Sequence, residues 1–268
     1  MDRLSEMRPF PAVASRITAS IDDPSIDAKQ LETIIESDPA VALRLLRVAN
    51  SAMYGFSREI SSISHAIVVL GYRTVKDMCI SIAAAGAFSE GKRAQRERES
   101  LLRHSLACGV IARQLATQLD NVDSAEAFLG GVVHDIGKLF FHDVVPDEYA
   151  QILPESGAAI TSIEEQAFGM SHADAGERCS LDWGLPDSIT EVIKCHHAPE
   201  SASFEQQLVK VVALANFLDK SWKISNPAFE ANDDDCAADV RGLLDGMDVE
   251  KTKARVASDF EAIRNACA

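Results

Sequence analysis

Ser37-Asp38-Pro39-Ala40-Val41-Ala42-Leu43-Arg44-Leu45-Leu46-Arg47-Val48-Ala49-Asn50 carries the clearest helix signal in the chain. Asp38 can accept hydrogen bonds from first-turn amides, and Pro39 fills the first helical position, where there is no amide partner to lose. Val41, Leu45, Val48 and Ala49 then mark one apolar stripe, which Leu46 widens. The same helical period runs through almost every other segment, while alternating β-branched runs are nearly absent. The expected fold is therefore all-α. Helices are expected at residues 63–70, 72–87, 101–119, 125–141, 160–168, 172–183, 186–196, 204–222 and 249–263.

Charged residues crowd together at 89–103, where Glu90, Lys92, Arg93, Arg96, Glu97, Arg98, Glu99 and Arg103 form the start of a solvated helix. That break divides the chain into an N-terminal helical lobe (1–90) and a second helical lobe (91–224). Residues 225–268 are expected to form an acidic loop and a closing helix packed on the module. The loop acids Glu230, Asp233, Asp234 and Asp235 leave open a weak site for a hard cation.

Of 268 residues, 41 are acidic and 26 basic, a net charge of -15 that argues against nucleic acid as the main partner. An apolar share of 47% is enough to bury a core. The six cysteines form no C-x-x-C pair and read as reduced, mostly buried thiols. No apolar run approaches the roughly 18 residues of a membrane span, and residues 1–6 carry acids in place of an apolar leader. The expectation is a cytoplasmic protein with no membrane contact.

Five of the seven histidines, His104, His134, His172, His196 and His197, form a set within the second lobe, and Asp135 directly follows His134. Imidazole and carboxylate donors suit iron, manganese or zinc, and a helical bundle can aim such donors into one interior cavity. His134-Asp135-Ile136-Gly137-Lys138 lies between two apolar runs, so its charges need partners. On a continuous helix Lys138 would share a face with Asp135 and reach a phosphate held beside a metal. A simple Asp135 to Lys138 ion pair with a core His134 remains an equal alternative. Adjacent histidines diverge by about 100° on a helix, so His196 and His197 can both ligate only if the helix ends there or two sites adjoin. His172 also suits the first turn of a helix capped by Ser171. His65 and His142 read as structural or solvated.

The first lobe carries Met7-Arg8-Pro9-Phe10-Pro11-Ala12-Val13, Ile35-Glu36-Ser37-Asp38-Pro39-Ala40-Val41 and Leu45-Leu46-Arg47-Val48-Ala49-Asn50-Ser51-Ala52-Met53-Tyr54-Gly55. In these stretches it resembles the HDOD family, the HD-related output domains of bacterial signalling proteins. Ile60-Ser61-Ser62-Ile63-Ser64-His65-Ala66-Ile67 continues the resemblance, with His65 where the family is expected to carry Gln. The second lobe is similar to the HD superfamily of metal-dependent phosphohydrolases. That similarity makes His104, His134 and Asp135 metal ligands and matches His172, His196 and His197 to the extra ligands of a two-metal branch. In a hydrolase it would give Asp135 and Lys138 catalytic roles, with Lys138 on the phosphate. The family's final ligand, an Asp, falls at Asn216, a degenerate position that has lost its anion, and Asp219 could replace it only if the helix were displaced. The Gly-Tyr-Pro segment of the cyclic-dinucleotide branch is absent after His197, which precedes Ala198-Pro199-Glu200.

The resemblance implies a bacterial signal-transduction output module. Its HD-like pocket takes one or two divalent ions (iron, manganese or zinc) or a small phosphate-containing ligand, without catalysis. Its N-terminal lobe would meet a signalling protein partner, and a homo-oligomer is left open. The alternative is a metal-dependent phosphohydrolase acting on a phosphoester or nucleotide.

Overall fold

The computed structural model describes residues 10–19, 27–89, 94–152, 160–227 and 236–267, and every regular element among them is helical. The chain opens with α1 (Ala12–Ala19), α2 (Ala28–Glu36), α3 (Pro39–Ala49), α4 (Ile63–Leu70) and α5 (Tyr72–Ser89). It continues through α6 (Gln95–Ala116), α7 (Ser124–Val133), α8 (Ile136–Val144), α9 (Pro146–Ile152) and α10 (Ile160–Phe168). The last elements are α11 (His172–Asp182), α12 (Asp187–Cys195), α13 (Gln206–Trp222), α14 (Ala238–Arg241) and α15 (Val249–Cys267).

The start of α3 follows from its sequence, with Asp38 Oδ1 accepting from the amides of Ala40 at 3.0 Å and Val41 at 3.2 Å. At its far end the Asn50 side chain donates to Ile60 O at 2.8 Å and accepts from Ile60 N at 2.7 Å, pinning the loop that leads into α4. Helix α6 is the hub, with α5, α7, α13 and α15 packed around it. One continuous apolar core runs from Phe10 to Ala266. Helix α15 reaches beyond residue 263 to Cys267, burying Val256, Phe260, Ile263 and Ala266. Gln114 on α6 donates to Asp259 of α15 at 2.5 Å.

Three expectations change. Residues 125–141 are not one helix: α7 stops at Val133, α8 starts at Ile136, and Asp135 sits between them at φ -98° and ψ 16°. The Asp135 carboxylate caps no amide there and turns instead to Lys138. The charged stretch is helix from Gln95 onward, and Arg98 within it is not solvated, being 2% exposed and paired with Asp143 at 2.8 Å. A seven-residue helix, α9, also occupies a stretch where the apolar pattern is too short to announce it. Met7 to Pro9, Glu90, Lys92, Arg93, Glu230 and Asp233 to Asp235 lie outside the described residues.

Asp77 on α5 is 4% exposed, and its Oδ2 has no hydrogen-bond partner. Burial, reinforced by Glu126 and Asp123 and opposed by Lys76 and Arg73, pushes its carboxyl from 3.8 up to about 7. The native state therefore holds this proton more tightly than the unfolded chain. Stability is highest below about pH 4 as far as this group is concerned, and a penalty of a few kcal/mol builds as pH rises to about 7. Asp77→Asn is expected to remove that component, so in denaturant unfolding the variant should gain more on the parent at pH 8 than at pH 5. Equal differences at both pH values would refute the assignment.

Candidate metal centre

Four of the five candidate histidines come from four different helices or their ends. His104 is on α6, His134 closes α7, His172 opens α11 and His196 closes α12. Helix α12 ends at Cys195, so His196 and His197 lie on a terminating turn, which removes the objection to adjacent ligands. The rings of His196 and His197 are 4.2 Å apart, and His197 Nε2 lies 2.9 Å from His172 Nε2. Ser171 caps α11 through Asp174, so His172 is both a first-turn residue and a member of the cluster.

Asp135, 0% exposed, stands at the middle. Its Oδ2 faces His104 Nε2 and His134 Nε2, each at 3.5 Å, and its Oδ1 faces His172 Nε2 at 3.3 Å and His196 Nε2 at 3.6 Å. These separations exceed a good N–H···O bond. They match the edge of a tetrahedral ligand shell, roughly 3.4 Å for bonds of about 2.1 Å. The Nε2 atoms of His134 and His196 and the Oδ1 of Asp135 are buried without a hydrogen-bond partner. Donor atoms of Asp135, His172, His196 and His197 fall within 4.8 Å of one another, as do those of His104, Cys108 and His134. This His/Asp/Cys cluster, buried except for the exposed His197, could hold a metal.

The opposite ring nitrogens are all occupied. His134 Nδ1 donates to Gly131 O and His196 Nδ1 to Ile193 O, both at 2.8 Å. His172 Nδ1 reaches Glu164 Oε2 at 2.6 Å and His104 Nδ1 reaches Asp219 Oδ2 at 2.7 Å. All four acceptors are carbonyls or carboxylates, so the proton belongs on Nδ1 and the lone pair on Nε2 points to the centre. Burial holds His134 and His196 below the ordinary imidazole range, which keeps them neutral. For Asp135 burial acts upward but is outweighed by the neighbouring Lys138 ammonium and by the imidazoles of His134, His172 and His196, and the carboxyl lies well below its usual range. Burial, then Asp219 and Asp135, raise the Cys108 thiol.

Lys138 Nζ is 2.6 Å from Asp135 Oδ2 and its side chain is 21% exposed, so it forms the ion pair while lying at the rim. Asn216 is buried, with Oδ1 unpartnered. Asp219, one turn later, is committed to His104 and to Ser225, whose amide and hydroxyl donate at 2.9 and 2.6 Å. His142 packs on Tyr149 outside the cluster, and burial with Arg98 lowers it to about 4.

Glu164 escaped the sequence reading. It is 0% exposed, accepts Tyr149 OH at 2.7 Å, and takes both the His172 amide and ring. Its one signal is a carboxylate in the apolar stripe between Ile160 and Phe168, at four-residue spacing. Cys108, four residues after His104 on the same helix face, offered a similar clue.

An HDOD domain model matches residues 7–199. An uncharacterised protein from Treponema pallidum (strain Nichols) is 25% identical over 220 residues, covering 80% of this chain and 42% of that protein. The chain thus spans about two fifths of the length of the curated relative it matches. A candidate phosphohydrolase of solved structure from Shewanella amazonensis SB2B superposes with a TM-score of 0.77 at 21% identity, over 99% of this chain and 97% of that one. A candidate signal-transduction protein from Marinobacter aquaeolei VT8 gives 0.71 at 20% identity, over 99% of this chain and 60% of that one. At these identities the likeness establishes a shared helical fold.

Proposed function

The chain belongs to the HDOD family, and from that premise we propose that it is a signal-transduction module whose second lobe, 91–224, holds one or two divalent ions of iron, manganese or zinc without turning over a substrate. The observation that carries this reading is the single buried carboxylate of Asp135, with two imidazole Nε2 atoms facing each of its oxygens at 3.3 to 3.6 Å. His104, His134 and Asp135 would hold one ion, and Asp135, His172, His196 and His197 a second. Such ions, when bound, supply Lewis acidity and activate water. The chain's own contribution is orientation: the Nδ1 tethers fix the rings of His104, His134, His172 and His196, and burial shields those four from solvent, while His197 lies at the exposed side.

The absence of turnover is argued from charge. Asn216 is neutral and Asp219 is spent on His104 and Ser225, so Asp135 alone supplies an anion to the centre. The N-terminal lobe, 1–90, is then the surface for a signalling protein partner, and no helix among the described residues is long and apolar enough to cross a membrane. Protein purified without oxygen or chelator is expected to carry about one or two equivalents of transition metal by plasma mass spectrometry. Empty protein that also fails to take up added iron, manganese or zinc would end this reading.

A second reading, a metal-dependent phosphohydrolase, is favoured by Lys138, whose ammonium lies at the rim beside Asp135 and suits a phosphate. If it holds, Asn216→Asp should raise phosphoesterase activity at least tenfold by restoring the missing anion. Tighter metal binding with no turnover in that variant supports the module instead.

A further inference from the structure

Lys76 and Asp77, neighbours on α5, are 8% and 4% exposed. Adjacent helical residues point about 100° apart, so the two form no direct ion pair, although Lys76 is near enough to oppose the upward shift of Asp77. No ion pair or hydrogen bond engages the Lys76 ammonium among the described residues, and Asp77 Oδ2 is without a partner. A buried carboxyl oxygen without a partner, beside an ammonium that lines the same cleft, calls for a physical reason.

Both residues line a cleft of about 180 Å³ whose other walls include Arg73, Glu126, Ser188 and apolar Ile189. Across it, Glu126 at the start of α7 binds Arg73 at 3.1 Å and Ser188 at the start of α12 at 2.5 Å. The lining thus offers two cations, two carboxyl groups and a hydroxyl over an apolar floor. At about 30 Å³ per water, the volume suits a solute of roughly six heavy atoms, far below a nucleotide. A balanced charge lining favours a ligand that is itself balanced. The cleft also joins α5 to the first turns of α7 and α12, the two helices whose far ends carry His134 and His196.

We infer that this cleft binds a small zwitterion of the free α-amino-acid class, its carboxylate on Lys76 and Arg73 and its ammonium on Asp77 and Glu126. The site is separate from the metal centre and does not depend on the reading given to it. Calorimetric titration of the full chain with each common L-amino acid tests it. At least one is expected to give saturable heat, and Lys76→Met and Asp77→Asn are each expected to weaken that binding about tenfold or more. Ser188→Ala, which spares the buried charges, serves as a third variant should either fail to fold, and circular dichroism checks each. Acetate and methylamine, each carrying half of the charge pattern, are expected not to compete. No saturable heat from any amino acid would overturn the inference, as would unchanged affinity in the folded variants. Acetate binding as tightly as the amino acid would also overturn it, leaving a plain anion site.

Discussion

Replacing Asp135 with alanine is expected to strip transition metal from the whole centre, lowering affinity by more than about 100-fold. The expectation follows from position. Asp135 is the one carboxylate whose two oxygens face Nε2 atoms on both sides, so its loss removes the shared donor and the anion together. It also frees the Lys138 ammonium, now 2.6 Å from Oδ2, to repel an incoming cation. Lys138 lies at the rim and can turn to water, so the fold should persist, with a far-ultraviolet circular dichroism spectrum like that of the parent. His134→Ala combined with Asp135→Ala should be no emptier than Asp135→Ala alone. Metal content by plasma mass spectrometry that stays at the parent level in the folded double variant would sink the metal assignment.

Among the described glycines, Gly137 is expected to tolerate an added methyl group least. A Cβ at Gly137 would lie 1.9 Å from His172 O and 2.7 Å from Gly176 N, both backbone atoms of α11 that cannot yield by changing rotamer. Helix α11 must therefore move away from α8, and His172 moves with it. Overpacking of this kind costs about 1–3 kcal/mol, equivalent to a fall of roughly 2–12 °C in Tm for a chain of this size. His172 Nε2 would leave its place 3.3 Å from Asp135 Oδ1, so the half of the centre made with His196 and His197 should lose metal first. Gly86→Ala is the control: its Cβ meets only the Arg44 guanidinium at 3.7 Å, and in a helix interior the change should be neutral or stabilising by up to about 1 kcal/mol. A scanning calorimetry trace in which the two variants melt together would refute the steric account. Gly137 in the His134-Asp135-Ile136-Gly137-Lys138 motif is thus explained by the close approach of two helices.

Much of the architecture was legible because helix formation is written locally. Asp38 and Pro39 announce α3, the apolar stripes announce most later helices, and the acidic cap pattern at Ser171 and Asp174 announces α11. The histidines and Asp135 could be named from residue chemistry and family resemblance. Their mutual positions could not. The break between α7 and α8 was hidden because the apolar runs on either side of Asp135 continue a helical period across it. The partners of His104 and His172, Asp219 and Glu164, lie 115 and 8 residues away, and no local pattern says which carboxylate meets which ring. Arg98 looked solvated within a charged run, until Asp143, 45 residues on, drew it into the interior.

The sequence by itself determined an all-helical chain, the starts of capped helices such as α3 and α11, and the donor types available for a metal. Only the tertiary structure decided that Asp135 stands between the four rings, that Asp219 orients His104 while Asn216 keeps an unpartnered oxygen, and that Lys76 and Asp77 open on a cleft. The physical reason is one of range. Capping and periodicity act within a turn or two along the chain, whereas the separation of two side chains on different helices depends on how closely and at what rotation those helices pack, which contacts such as Gly137 against His172 settle in three dimensions.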